Sequence, residues 1–269
     1  MSAVVVDGGI VHYEYLGRGK PLVLIHGWLG SWRYWMSTMA ELSDGYRTYA
    51  LDLWGFGDTD KARHRYNVAD YVTLVGAFMD ELGIQRAPLV GHSLGALVAL
   101  DMALMSPERV DRVALVSLPF ASQDINRKAL LTGKGALGGA LFGYPPEYEP
   151  VITDIDKTDK LAIDLSVSSL NGMDLNHKLA LLRMPALIVF GSKDTIITPR
   201  EFTPIPPTPE EGITCAVRTM FMDESRHFPM LEEGHRFNRL LRDFLAVDLL
   251  DPQKIFSLEL KEEWRRKLR

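Results

Sequence analysis

Residues 88–105 read PLVGHSLGALVALDMALM, and this stretch decides the fold. Pro88–Val90 is a short apolar run of strand type, while Leu94–Met105 is apolar nearly all round, interrupted only by Asp101. A helix with no polar face has to be buried, as one packed against the centre of a sheet is. Between the two lies Gly91-His92-Ser93-Leu94-Gly95, a G-x-S-x-G at a strand-to-helix junction. On so sharp a turn the serine is strained and projected outward, and side chains two residues either side of it would collide. Capping of the helix by Ser93 would account for the serine but for neither glycine.

Working outward, short runs rich in branched residues recur at Val4–Val6, Val11–Tyr15, Leu22–Ile25, Arg47–Leu51, Val110–Val116, Ala186–Phe190 and Cys215–Phe221. Each reads as a strand. Val68, Tyr71, Val72, Val75, Phe78, Met79 and Leu82 form one helical face, and Phe237, Leu240, Leu241, Phe244 and Leu245 another. The alternation predicts an α/β class: a mostly parallel central sheet with helices on both faces. It assigns residues 1–118 and 183–250 to the core. Residues 119–182 break the pattern with a Gly-rich patch and a Tyr-Pro-Pro turn, and they read as an inserted lid. Residues 251–269 form a C-terminal tail. There Phe256, Leu260, Trp264 and Leu268 repeat every four residues, which predicts a short amphipathic helix needing a surface, its own core or the second subunit of a homodimer.

A serine hydroxyl needs a base to take its proton and a carboxylate to orient that base. Asp194, in GSKDTIITP, follows the run ending at Phe190, and His227, in SRHFPMLE, follows the run ending at Phe221. In a parallel sheet both loops share the edge that carries Ser93. Ser93, Asp194 and His227 are therefore the catalytic candidates, with any rival acid lying after Val116 or in the insertion. Backbone donors for a developing oxyanion are expected from Trp28, in the HGWLG turn after Ile25, and from Leu94 at the start of the buried helix. His26 reads as a partner of loop backbone and His92 as fixed within the turn. His12, His64, His177 and His235 read as surface or packing residues.

The 269 residues carry 30 Lys and Arg against 35 Asp and Glu, which leaves no basic field for nucleic acid. One cysteine, Cys215, supports neither an intrachain disulfide nor a zinc cluster. Asp52, Asp58 and Asp60 invite a metal hypothesis, but in LDLWGFGDTD they read as turn caps, and no metal is expected. The first residues, MSAVVVDGG, lack the basic flank and apolar stretch of a signal peptide, and no apolar run reaches the length of a membrane span. A cytoplasmic protein is the expectation.

LVLIHGW, LDLWGFGDTD, LVGHSLGALVAL, LIVFGSKD and SRHFPMLE together resemble the α/β-hydrolase superfamily, in its serine-nucleophile, esterase-like branch. The resemblance implies hydrolysis of a small carboxylic ester without a cofactor. Dehalogenases and epoxide hydrolases of that superfamily carry Asp at the elbow and Pro two residues after the His-Gly turn; here those positions hold Ser93 and Leu29. The superfold also hosts C–C bond, lactone and thioester hydrolysis, acyl transfer, perhydrolysis and non-catalytic binding proteins. In the insertion, Leu137, Leu141 and Phe142 are apolar candidates to line an acyl pocket of modest size, and the glycines around them suit a mobile lid. Pro199, Pro204, Pro206, Pro207 and Pro209 exclude a regular helix after Asp194.

Overall fold

The computed structural model describes residues 2–61, 64–133, 145–202 and 216–260. The eight predicted runs form the strands β1 (Ser2–Val6), β2 (Gly9–Leu16), β3 (Lys20–Ile25), β4 (Tyr46–Leu51), β5 (Ala87–His92), β6 (Val110–Val116), β7 (Ala186–Gly191) and β8 (Val217–Met222). Cys215, expected in the last of these, lies outside the described residues. The strands form one sheet in the order β1-β2-β4-β3-β5-β6-β7-β8. The β1–β2 and β2–β4 pairs are antiparallel and all others parallel. β5 and β7 are buried along their whole length, as strands covered on both faces must be.

From β3 the chain turns one way to β4 and later returns on the other side as β5. This reversal opens a crevice at the carboxyl ends of β3 and β5, the place where open α/β sheets bind ligands. Helix α1 (Met36–Leu42) follows β3. α2 (Val68–Glu81) starts at Asn67, whose side chain accepts from the Asp70 amide while the Asp70 carboxylate reaches back to the Asn67 amide. α3 (Leu94–Met105) packs against β5, β6 and α2, and its residues Leu94–Leu100 are all buried, as its uniformly apolar sequence requires.

Between β6 and β7 the described residues form α4 (Arg127–Thr132), α5 (Glu149–Ile155), α6 (Lys160–Ser168) and α7 (Asn176–Ala180), and add no strand to the sheet. Polar side chains fasten this segment to the loops after β3. Asp154 on α5 is buried and accepts from Ser31 Oγ at 2.7 Å and Arg33 Nε at 2.9 Å. Trp28 Nε1 donates to Ser166 Oγ on α6 at 2.8 Å. Leu137, Leu141 and Phe142 lie outside the described residues.

After β8 come α8 (Pro229–Glu232) and α9 (Gly234–Leu245), which buries the predicted face Phe237, Leu240, Leu241, Phe244 and Leu245. Arg112, in the interior of β6, is buried and donates through Nη1 to the carbonyls of Phe244 at 2.9 Å, Leu245 at 2.7 Å and Val247 at 2.9 Å. A cation thus sits at the carbonyl end of α9, where it complements the helix dipole. The tail departs from expectation in its described part. Pro252–Ser257 is a 3₁₀ turn, and it buries Ile255 and, just beyond it, Leu258, leaving Phe256 exposed. Trp264 and Leu268 lie outside the described residues. Among those residues no helix is long and apolar enough to cross a membrane.

Candidate active site

Ser93 joins β5 to α3 with φ 55° and ψ −112°, a backbone region that non-glycine residues avoid at a cost of about 1–3 kcal/mol. The surroundings hold it there. A Cβ on Gly91 would lie 2.1 Å from the Gly95 carbonyl oxygen, and one on Gly95 would lie 2.2 Å from the Ile25 carbonyl oxygen. Both glycines are therefore steric necessities that let α3 sit directly on the ends of β3 and β5. The Ser93 amide is anchored to the Val116 carbonyl at 2.8 Å. Its side chain is buried, and among the described residues Oγ has no hydrogen-bond partner, so no bond to His227 is formed in this structure. Catalytic hydrogen bonds are often long before substrate arrives.

The loop after β3 passes against Ser93, since a Cβ on Gly27 would lie 2.7 Å from the Ser93 Cβ. A turn closed by the Gly30 amide on the Gly27 carbonyl, 3.2 Å, shapes this loop. Among the described residues neither the Trp28 amide nor the Leu94 amide donates to another protein group. His26, as its sequence context suggests, serves the loop. Its Nε2 accepts from the Leu53 amide at 2.9 Å and its Nδ1 lies 2.9 Å from the Gly27 carbonyl, so the ring is neutral with its proton on Nδ1. Burial keeps its pKa below that of a free imidazole.

Asp194 and His227 are brought together, with His227 Nδ1 2.8 Å from Asp194 Oδ2. The other carboxylate oxygen of Asp194 accepts from the amides of Ile196 at 2.8 Å and Ile197 at 3.0 Å. The proton between the two side chains belongs on Nδ1, which leaves Nε2 of His227 as a base. Gly191 explains the fit of the two loops: a Cβ there would stand 1.9 Å from the Arg226 carbonyl oxygen. The rival acid position after β6 is occupied by buried Asp124, which pairs with Arg200 at 2.6 Å and accepts from the Ala121 amide at 2.9 Å.

Four polar side chains around His227 are not among the expected site residues. His92 Nε2 lies 2.8 Å from the His227 carbonyl oxygen, and His92 Nδ1 lies 2.9 Å from Tyr34 Oη. Ser117, itself at φ 49°, donates to the same His227 carbonyl at 3.2 Å. Glu232 accepts from the amides of Arg226 at 2.7 Å and Phe228 at 3.2 Å, and from the Tyr148 hydroxyl. Burial raises the Glu232 pKa despite these donors. An acid just after a proline-initiated turn is a recognisable helix-start pattern. For Tyr34 and His92, which meet across 58 residues, the sequence offers no such signal.

His12 corrects another expectation, because it is neither a surface residue nor merely packed. Its Nδ1 lies 2.8 Å from Asp52 Oδ2, and with Asp58 the three side chains converge within 4.8 Å. Asp52 also accepts from the amides of Trp32 at 2.7 Å and Asp58 at 3.0 Å, while Asp58 pairs with Lys157 at 2.9 Å. These bonds account for the cluster as a loop clamp, and Asp60 likewise accepts from the Ile10 amide.

The comparisons agree with this fold. Residues 20–135 match the family model described as the alpha/beta hydrolase fold. Over 263 residues the chain is 30% identical to the dihydrolipoyllysine-residue acetyltransferase component of the acetoin cleaving system of Cupriavidus necator, covering 90% of this chain and 68% of that protein. The chain belongs to the α/β-hydrolase family. This α/β hydrolase is also 32% identical over 184 residues to the 2-hydroxy-6-oxo-2,4-heptadienoate hydrolase of Pseudomonas putida, covering 66% of this chain and 62% of that protein. Among solved structures it is similar in fold to a hydrolase from Pseudomonas aeruginosa, with a TM-score of 0.77, 21% identity and coverage of 91% and 98%. The enol-lactonase from Burkholderia xenovorans gives a TM-score of 0.73 at 23% identity, with coverage of 91% and 100%. At these identities the structures speak for the fold alone.

Proposed function

We propose that this α/β hydrolase cleaves small-molecule carboxylic esters with short to medium uncharged acyl groups through an acyl-enzyme intermediate. The observation that carries the reading is the strained Ser93, set at the crevice between β3 and β5, with the hydrogen-bonded His227–Asp194 pair on the same sheet edge. Ser93 Oγ attacks the acyl carbon as its proton passes to His227 Nε2. Asp194 holds the imidazole in the required tautomer and stabilises the cation that forms. The Trp28 and Leu94 amides take the carbonyl oxygen as it becomes an oxyanion. Collapse breaks the bond to the alcohol oxygen, which leaves with the His227 proton. Water then repeats the sequence and releases the acid, and no cofactor enters the scheme.

Residues 119–182 act as the lid in this reading, with Leu137, Leu141 and Phe142 lining the acyl pocket. The complete burial of Ser93 supports a covered site. A second reading, acyl transfer, draws on the name of the Cupriavidus necator relative; there a thiol or alcohol replaces water in the second half-reaction. A fluorophosphonate label located by peptide mapping, followed by p-nitrophenyl esters from C2 to C16 with and without added thiol acceptor, tests both. Labelling of Ser93 and a kcat/KM maximum at short to medium length support ester hydrolysis. A profile that Leu141→Trp with Phe142→Trp leaves unmoved places the acyl pocket elsewhere, and product partitioning to the acceptor favours transfer.

A further inference from the structure

Tyr34 and His92 form a buried polar chain that crosses the site beneath the catalytic candidates. The Gly27 amide donates to Tyr34 Oη at 2.6 Å, Tyr34 Oη meets His92 Nδ1 at 2.9 Å, and His92 Nε2 meets the His227 carbonyl oxygen at 2.8 Å. A carbonyl can only accept, so the His92 proton sits on Nε2, and the Tyr34 hydroxyl donates to the free Nδ1. This one assignment satisfies every group in the chain. It also requires a neutral ring, in keeping with a His92 pKa that burial, and then the neighbouring His227, pushes well below the usual value. The titratable groups acting on His92 are Tyr34 on one side, His227 on the other and His26 nearby, with Phe228 packed against the rings of His92 and His227.

The ends of this chain matter more than its middle. Gly27 precedes the Trp28 amide, and its backbone abuts both Ser93 and His92. His227 is gripped at three points: its ring by Asp194, its carbonyl by His92 and by Ser117. Packed among Phe228 and Trp35, this buried network leaves any single partner costly to remove, so its geometry is closely specified. We propose that Tyr34 and His92 are positioning residues that fix the separation between the oxyanion-hole loop at Gly27–Trp28 and the base His227. The proposal rests on the catalytic roles assigned above. In this reading neither residue acts on substrate directly: His92 works through the backbone of His227, and Tyr34 through Gly27, whose neighbour Trp28 holds the oxyanion.

The test compares Tyr34→Phe, His92→Gln and the double variant with Tyr71→Phe, which removes another buried tyrosine hydroxyl, bonded to the Trp54 carbonyl away from the chain. Tyr34→Phe is expected to lower kcat on the best p-nitrophenyl ester about 10- to 100-fold with KM within about twofold, as misplacement of reacting groups does. The double variant should lose no more than the worse single variant, because the two act as one unit. Tyr71→Phe should lower the melting temperature without lowering kcat of the folded fraction. Independently of any substrate, the downfield proton resonance of His227 Nδ1–H, identified by its loss in Asp194→Asn, should shift or broaden in Tyr34→Phe. An unchanged resonance, a kcat loss matched by Tyr71→Phe, or strictly additive losses would overturn the proposal. If instead wild type resists fluorophosphonate and all esters while the resonance still responds, the positioning chain stands and the ester reading fails.

Discussion

From Ala87 to Met105 the chain is held by close backbone approach to its own turn and to the end of β3, whereas the described residues between Phe120 and Leu182 add to their buried apolar contacts polar side chains that reach across more than a hundred positions. In the first region Gly91 and Gly95 admit no Cβ, and α3 is buried because it has no polar face. In the second, Asp154 finds Ser31 across 123 residues and Ser166 finds Trp28 across 138. Local constraint produces a rigid nucleophile mount whose form can be read from a short sequence window. Remote polar fastening produces a segment whose position depends on a few bonds that a single substitution can remove.

The sharpest break of that comparison falls on the mount itself. Ser93→Ala should leave the fold intact and lower kcat by about a million-fold, as in other serine triads, measured by steady-state ester hydrolysis. Retained turnover would move the nucleophile elsewhere. Next, Asp194→Asn should lower kcat by about 10⁴-fold, because the amide stabilises the wrong imidazole tautomer. A near-normal rate would hand its role to another carboxylate, though Asp124 is already engaged by Arg200.

The remote fastening predicts a smaller effect. Asp154→Ala strips Ser31, Arg33 and Lys157 of a buried acceptor and should cost about 2 kcal/mol in urea unfolding, while Leu165→Ala on the exposed side of α6 costs little. Equal effects would mean that the segment is held by apolar contacts instead. The smallest effect is that of pH on His12. Burial lowers its pKa, but the hydrogen bond and charge of Asp52 outweigh burial, and the net pKa is raised. Its contribution is therefore complete below about pH 6.5 and is lost as pH rises through the raised value. The melting temperature of wild type should exceed that of His12→Gln by about 2–4 °C at pH 5.5, with the gap narrowing at alkaline pH. A gap that widens with pH would show that the imidazole is held neutral.

How much of this was legible follows the same division. The eight described strands announce themselves by short branched apolar runs, α2 and α9 by helical periodicity and α3 by having no polar face, and Ser93, Asp194 and His227 by their places after β5, β7 and β8. Asp194 and His227 meet as that placement predicts, because parallel strands align their carboxyl ends. His12 gives no sign of its role in the sequence because its partner Asp52 is 40 residues away, just past the end of the adjoining strand β4, and nothing beside His12 marks the pair. Tyr34 sits in SWRYW, where aromatic residues suggest packing alone, yet its hydroxyl joins two loops. In the tail, Pro252 starts a 3₁₀ turn that buries Ile255 and leaves Phe256 exposed, while Leu258 and, in part, Leu260 pack on the core beyond it.

Arg112 imposes an order of events on a growing chain. Its guanidinium can leave water only when the carbonyls of Phe244, Leu245 and Val247 exist, and the first of these lies 132 residues downstream. At 5–20 residues per second, roughly 7–26 s of synthesis separate the arginine from its acceptors. During that interval Arg112 has only the carboxylate of the adjacent Asp111 beside it, so a nascent chain can gather its first strands but leaves this position of β6 hydrated until α9 arrives.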